Sequence, residues 1–386
     1  MVMFHGYVDV VDRYAVQGWA SPPDAVKVFV NGVPVGHATV TAAREDARAA
    51  GQPNARGFLF RLSRHLKPGG NRIVVTFSDG SPVPAGDVGL NYDPGQIIDD
   101  HWSDQYSNKI APIVRWWQSD LIVRHVNERV CGEQVSGLSQ GLYRWLLRDF
   151  GPLPLRHGVS VGCGEGVKEI EALRLGLVEQ FDLFELSAFA IEAGRKAAEG
   201  ERLADRMVFH HGDALERLDF YDLVFWNNSL HHMPDVHAAL SWSRRVLRPG
   251  GLLVMDEYVG PSRMQFPQWV LDANTSYRQS LPPHYKLNPY THGELVADKM
   301  VNASIDDMIY WDPSEAADSS NIISALKLFF PDAKIRLTGG MIYHLGLNDI
   351  LHNIHDNIEE IRRALALDDQ LTERGVSQYA VAVART

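Results

Sequence analysis

Apolar positions along the chain change their rhythm near residue 92. Up to that point they alternate with polar residues in short runs, Tyr7-Val-Asp-Val10, Ala15-Val-Gln-Gly-Trp19, Val26-Lys-Val-Phe-Val30, Val35-Gly-His-Ala-Thr-Val40, Gly57-Phe-Leu-Phe-Arg-Leu62 and Asn71-Arg-Ile-Val-Val-Thr-Phe77. A period of two, broken by turn residues such as Asn31-Gly32, predicts short antiparallel strands, and their number predicts a small all-β sandwich over 1–92. From residue 157 onward the apolar runs are continuous instead. Strands are predicted at 157–162, 180–186, 207–212, 221–227 and 250–257, with helices at 166–175, 188–199 and 235–247 between them. Strands apolar on both faces, alternating with helices, form a parallel sheet with right-handed crossovers. A helix near 319–330, a strand near 333–345, helices near 349–373 and a terminal strand at 378–384 follow. The expected fold class is therefore α/β: a Rossmann-like seven-stranded sheet with helices on both faces.

Asn91-Tyr-Asp-Pro-Gly95 has the composition of a linker. The segment 93–156 after it is helical in pattern and rich in large aromatics, including Trp102, Tyr106, Trp116, Trp117 and Trp145. Aromatic stripes at helical spacing are usually core, with Tyr106 and Arg115 as pocket candidates. The division expected is 1–92, 93–156 and 157–386, the last with an insertion at about 260–318. An insertion of that length suits a lid that selects substrate and excludes water.

The run Gly158-Val-Ser-Val-Gly162-Cys163-Gly164-Glu165-Gly166 carries an apolar strand into closely spaced glycines and then a helix. Glycines open backbone angles closed to other residues, and the helix start favours an anionic group. Glu185 ends the next apolar run, where a second parallel strand would hold a carboxylate against ribose hydroxyls. The third glycine comes too early for the dinucleotide pattern, which disfavours NAD.

Taken together, Val-Ser-Val-Gly-Cys-Gly-Glu-Gly, Phe-Glu185-Leu-Ser, His-Gly-Asp213-Ala, Asn228-Ser-Leu-His231-His232-Met-Pro-Asp235 and Leu247-Arg-Pro-Gly-Gly251 resemble successive motifs of class I S-adenosylmethionine-dependent methyltransferases. The resemblance covers about residues 157–257 and implies S-adenosyl-L-methionine as cofactor. It places Gly162, Cys163 and Gly164 along the methionine half, Glu185 with Leu186 at the ribose, Asp213 with Ala214 at the adenine, and Asn227 beneath the sulfonium. The plain alternative for Asp213 is a helix N-cap or turn residue. One departure stands out: the family carries an acidic residue where this chain has Ser160. A hydroxyl brings no charge, so either the cofactor's ammonium is met elsewhere, with Glu165 as the candidate, or affinity is modest.

The acceptor belongs above the carboxyl ends of the strands. His231, His232 and Glu257 are the catalytic candidates, because methylating a hydroxyl benefits from a nearby base, and Tyr258, Arg263 and Tyr285 are the substrate-binding candidates. The plain alternatives are a packed loop for the histidines and an ion pair with Arg263 for Glu257. His231, Asp256, Glu257 and His344 could be assembled around a metal, but no spacing is diagnostic, and none is expected. The segment Tyr343-His344 to His352-Asn353-Ile-His355 reads as an amphipathic face.

A formal charge of −11, from 37 basic and 48 acidic side chains, opposes general attraction to nucleic acid or anionic membranes. With 45% hydrophobic residues, no apolar run of membrane-span length, no basic-then-apolar start and two cysteines, a soluble cytoplasmic enzyme without disulfides is expected. The Gly-x-Val-Asp, Gly-Trp-Ala and Val-Asn-Gly-x-Pro-Val elements of the first segment resemble the small β domain appended to bacterial glycosyltransferases and polysaccharide-synthesis enzymes. It would be a carbohydrate or partner-docking module, with Tyr14 or Trp19 for stacking, or an add-on supporting a homodimer. The function expected is methyl transfer to a hydroxyl of a sugar or glycan precursor in surface-polysaccharide metabolism. The alternatives are N-methylation of an amino sugar or small metabolite, and a non-catalytic scaffold that keeps the cofactor fold.

Overall fold

The computed structural model describes residues 4–21, 26–107 and 115–386. The chain divides into two compact units, one comprising 1–98 with 303–313 and the other comprising 99–302 with 314–386.

The first unit is a sandwich of two four-stranded antiparallel sheets. Its strands are β1 (His5–Val11), β2 (Ala15–Ser21), β3 (Val26–Val30), β4 (Val33–His37), β5 (Thr39–Ala43), β6 (Arg56–Arg61), β7 (Gly69–Phe77) and β8 (Pro82–Tyr92). One sheet runs in the order β1-β2-β6-β5, the other β4-β3-β7-β8. Asn31 and Gly32, at φ 52° and 79°, make the two-residue turn between β3 and β4, as their sequence predicts. Alternate residues Val26, Val28 and Val30 of β3 lie beside Phe77, Val75 and Ile73 of β7 on one sheet's inner face, and the other sheet adds Val8, Val16, Ala20 and Phe58 to the same core. Trp19 is not among these core residues; it pairs across strands with the exposed Tyr7 on the outer side. Tyr14 is committed internally, its hydroxyl donating to Asp307 Oδ1 at 2.5 Å while the Arg61 guanidinium stacks on its ring at 4.0 Å. The helix Ile305–Trp311 thus packs with the β strands. This corrects the expectation that 260–318 forms one continuous lid, because 303–313 belongs to the sandwich unit.

The second unit is the seven-stranded sheet, built from β9 (Leu155–Val161), β10 (Val178–Glu185), β11 (Met207–His211), β12 (Tyr221–Asn227), β13 (Leu247–Tyr258), β14 (Lys334–Gly339) and β15 (Tyr379–Arg385). Their spatial order is β11-β10-β9-β12-β13-β15-β14. The first five strands are parallel, while β15 runs antiparallel between β13 and β14. Strand alternation builds both cores: Leu223 and Phe225 point to the face covered by helices Val167–Arg174 and Ala188–Gly200, whereas Val224 and Trp226 meet helices Val236–Val246 and Ile322–Phe329. Trp226, fully buried, donates its indole N–H to Ser243 Oγ at 3.0 Å. The strand expected at 333–345 ends at Gly339, where Gly339 and Gly340 take φ 96° and 103° and turn the chain away. The order reverses at β9, so the chain leaves β9 and β12 in opposite directions and opens a crevice at their carboxyl ends.

Candidate active site

The glycine turn leaves β9 through three left-handed positions, Gly162, Gly164 and Gly166, at φ 64°, 56° and 69°. A Cβ on Gly162 would stand 2.7 Å from the Ser229 side chain, so any other residue there is opposed by both backbone and space. Glu185, at the end of β10, locks the turn. Its Oε2 accepts from Gly164 N at 2.8 Å and its Oε1 from Leu186 N and Ser187 N at 2.8 and 2.9 Å. A carboxylate has about four lone-pair sites. Three are used here, which leaves room for one ribose hydroxyl rather than two.

Asp213 caps the short turn after β11, its Oδ1 accepting from Leu215 N at 2.8 Å, with Ala214 fully buried behind it. Capping engages one oxygen and leaves Asp213 exposed. Gly162, Leu186 and Asp213 are exposed, and Cys163 and Glu185 partly so. This open rim of amides, carboxylates and apolar cover fits an adenosyl group. Asn227 ends β12, its amide donating to Ser139 Oγ at 3.2 Å and its carbonyl accepting from Lys168 Nζ at 3.1 Å.

Beyond Asn227 lies a cavity of about 420 Å³ lined by Asn228, His231, His232, Asp256, Tyr258 and Lys168, with Trp102, Trp116, Trp117 and Tyr379 among its aromatic walls. In its wall His231 Nδ1 lies 2.7 Å from Glu257 Oε2, which is set behind the lining. Glu257 is wholly buried, and its other oxygen accepts from Ser229 N and Leu230 N, each at 2.7 Å. With three bonds inside the fold, Glu257 orients the imidazole. It neither meets the cavity nor forms the pair with Arg263, whose guanidinium donates instead to Glu315 O at 2.9 Å. Burial, the largest influence on His231, disfavours its charge, but the Glu257 bond and charge together with Glu315 outweigh it and hold its pKa above the ordinary histidine value. His232 goes the other way: burial and then the His231 charge push it well below. Its Nδ1 lies 3.0 Å from Ser314 Oγ, and its ring meets Trp102 edge-on at 5.3 Å.

Tyr258 lines the cavity beside His231, with ring centroids 5.9 Å apart. Tyr285 does not line it. Its hydroxyl bonds Asn357 and its ring packs on the cluster around Ile350 and Leu351. Of the metal set assembled from sequence, His344 is engaged by Gln378 and Tyr379, and burial takes its pKa down to about 4. Among the described residues, donor atoms lie within 4.8 Å of one another in His231, His232 and Glu315, and also in Asp235, His237 and Asp318. Trp145 lies in the core, while the side chain of Tyr106 lies outside the described residues. Two cavity groups, Ser139 and Lys168, escape a reading of the sequence, and they join Asp256 there. Ser139 donates to Asp256 Oδ2 at 2.9 Å, burial raises the pKa of Asp256, and burial lowers that of Lys168.

A family model described as a methyltransferase domain matches residues 159–309. Residues 159–309 are thus those of a methyltransferase domain. It is 32% identical over 134 residues to the 27-O-demethylrifamycin SV methyltransferase of Amycolatopsis mediterranei, covering 33% of this chain and 48% of that protein. It is 29% identical over 152 residues to a ubiquinone/menaquinone biosynthesis C-methyltransferase of Paracoccus denitrificans, covering 37% and 58%. The chain thus spans about half the length of these curated relatives. Among solved structures, geranyl diphosphate C-methyltransferase from Streptomyces coelicolor aligns with 76% of this chain and 98% of its own, at 16% identity and a TM-score of 0.43. No helix among the described residues is long and apolar enough to cross a membrane.

Proposed function

We propose that this protein transfers a methyl group from S-adenosylmethionine to a hydroxyl of a sugar or glycan precursor, with His231 as the base. The observation that carries this reading is the His231–Glu257 contact of 2.7 Å beside the carboxyl end of β12. When bound at the glycine turn, the cofactor supplies a methyl group activated by positive sulfur. Glu257 fixes the imidazole with Nδ1 as donor, which turns Nε2, as acceptor, toward the cavity. During transfer, Nε2 would accept the proton that the acceptor hydroxyl releases. Base assistance of this kind contributes about a hundredfold to ten-thousandfold, and alignment supplies much of the rest. Trp102, Trp116 and Trp117 offer faces for a sugar ring, while Ser139 and Asp256 offer hydrogen bonds to its hydroxyls.

The test is incubation of the protein with S-adenosylmethionine and a panel of nucleotide sugars and amino sugars, read by mass spectrometry, with His231→Ala in parallel. A product carrying one added methyl on oxygen, lost in the variant, supports the reading. Methylation on nitrogen that persists in His231→Ala replaces it with the amine reading, which the buried carboxylate of Asp256 would serve. No binding of S-adenosylmethionine or S-adenosylhomocysteine by calorimetry leaves a scaffold.

A further inference from the structure

Glu169 lies on the helix that the glycine turn opens, Val167–Arg174, and is 1% exposed. Its Oε1 accepts a hydrogen bond from Ser160 Oγ at 2.6 Å, while its Oε2 is buried with no hydrogen-bond partner. A carboxylate oxygen left in that state is costly, because its water has been removed and nothing has replaced it. The neighbouring lysine does not satisfy it, since Lys168 Nζ donates to Asn227 O. Burial accordingly raises the pKa of Glu169. The group stands at the third position of the helix that Gly166 opens, and burial, with the nearby charges of Glu169 and Glu185, pushes the Cys163 thiol up. The strand residue it grips, Ser160, is the one position where an acid is missing from the expected motif.

We propose that Glu169 supplies, from the helix, the negative charge that receives the ammonium of the cofactor's methionyl end, with Ser160 as its tether. This rests on the cofactor reading above. It makes Glu169, and not Glu165 on the outer turn, the counter-charge that Ser160 cannot provide. A bound ammonium would give the orphaned oxygen its partner and keep the carboxylate ionised.

Calorimetry with two cofactor fragments separates this role from a structural one. S-adenosylhomocysteine carries the amino acid end, and 5′-methylthioadenosine lacks it. Glu169→Gln, which keeps the shape and removes the charge, should weaken S-adenosylhomocysteine about tenfold or more and leave methylthioadenosine within about twofold. The double variant Ser160→Asp with Glu169→Gln, which returns the acid to the strand, should recover most of the lost affinity. Equal weakening of both ligands, or no weakening of either, overturns the proposal. A wild-type protein that binds neither ligand overturns the cofactor reading itself, and this inference with it.

Discussion

His231 Nδ1 and Glu257 Oε2 lie 2.7 Å apart, and both Glu257 oxygens are held by the fold. The carboxylate therefore acts through the imidazole. With the His231 pKa raised above its usual value, the neutral base fills only as pH rises through that raised value, so turnover should climb on an acid-side limb above about 6.5. Glu257→Gln removes the group that raises it. The limb should move to lower pH while kcat falls about tenfold to a hundredfold; a limb that stays in place in a kcat–pH profile would remove His231 from the base role.

Gly162 combines φ 64° with a would-be Cβ contact of 2.7 Å to Ser229. Gly162→Ala should cost about 1–3 kcal/mol in stability and displace the turn that Glu185 anchors. Thermal unfolding, together with S-adenosylhomocysteine titration of the folded fraction, reads both effects. An unchanged unfolding midpoint would show that the turn yields freely.

Asp182 joins His157 and His210 at 3.1 and 2.9 Å at the far side of the sheet's parallel half. Burial works to raise its pKa, but the two histidine hydrogen bonds prevail and bring it down to about 2. A depressed carboxylate stabilises the fold above its ordinary range near pH 3.9 and loses that contribution as pH falls toward 2. Asp182→Asn should thus be less stable than wild type at pH 5–6, with the gap closing in strong acid. Urea unfolding at a series of pH values measures it.

Asp368, from the helix Ile358–Thr372, accepts from Gly340 N, Ile342 N and Tyr343 N at 3.0, 2.6 and 3.2 Å. It staples the turn that brings His344 to the cavity. Asp368→Ala strands three backbone donors in the core and should cost about 3 kcal/mol or more, measurable as a lowered urea midpoint with an unchanged slope.

Periodicity made the sheet and the sandwich readable, because a strand such as Tyr221–Asn227 carries an unbroken apolar run, Leu223-Val-Phe-Trp226, buried on both faces. Motif order likewise singled out Gly162, Glu185 and His231, which lie in the glycine turn, at the end of β10 and in the cavity wall. Long-range placement escaped it. The apolar stretch after Gly339 looks like more strand, and only the paired glycines with Asp368 as their acceptor turn it aside. Tyr285 is near in sequence to candidate lid residues, yet its side chain belongs to a different packing cluster. Lys168 and Glu169 occupy the start of an amphipathic helix, where charge normally means solvent. Nothing local signals that Glu169 is buried against Ser160. Ser139 reaches Asp256 from more than a hundred residues away, a contact that no spacing encodes.

The helix Ile305–Trp311 packs with the sandwich although the chain on either side of it belongs to the other unit. No single cleavage or gene fusion at residue 98 can therefore transplant the sandwich intact. A shuffled copy would have to bring along a distant stretch of sequence, or leave Tyr14 and Arg61 without the acid they grip. Modular exchange of this unit is thus harder than its compactness suggests.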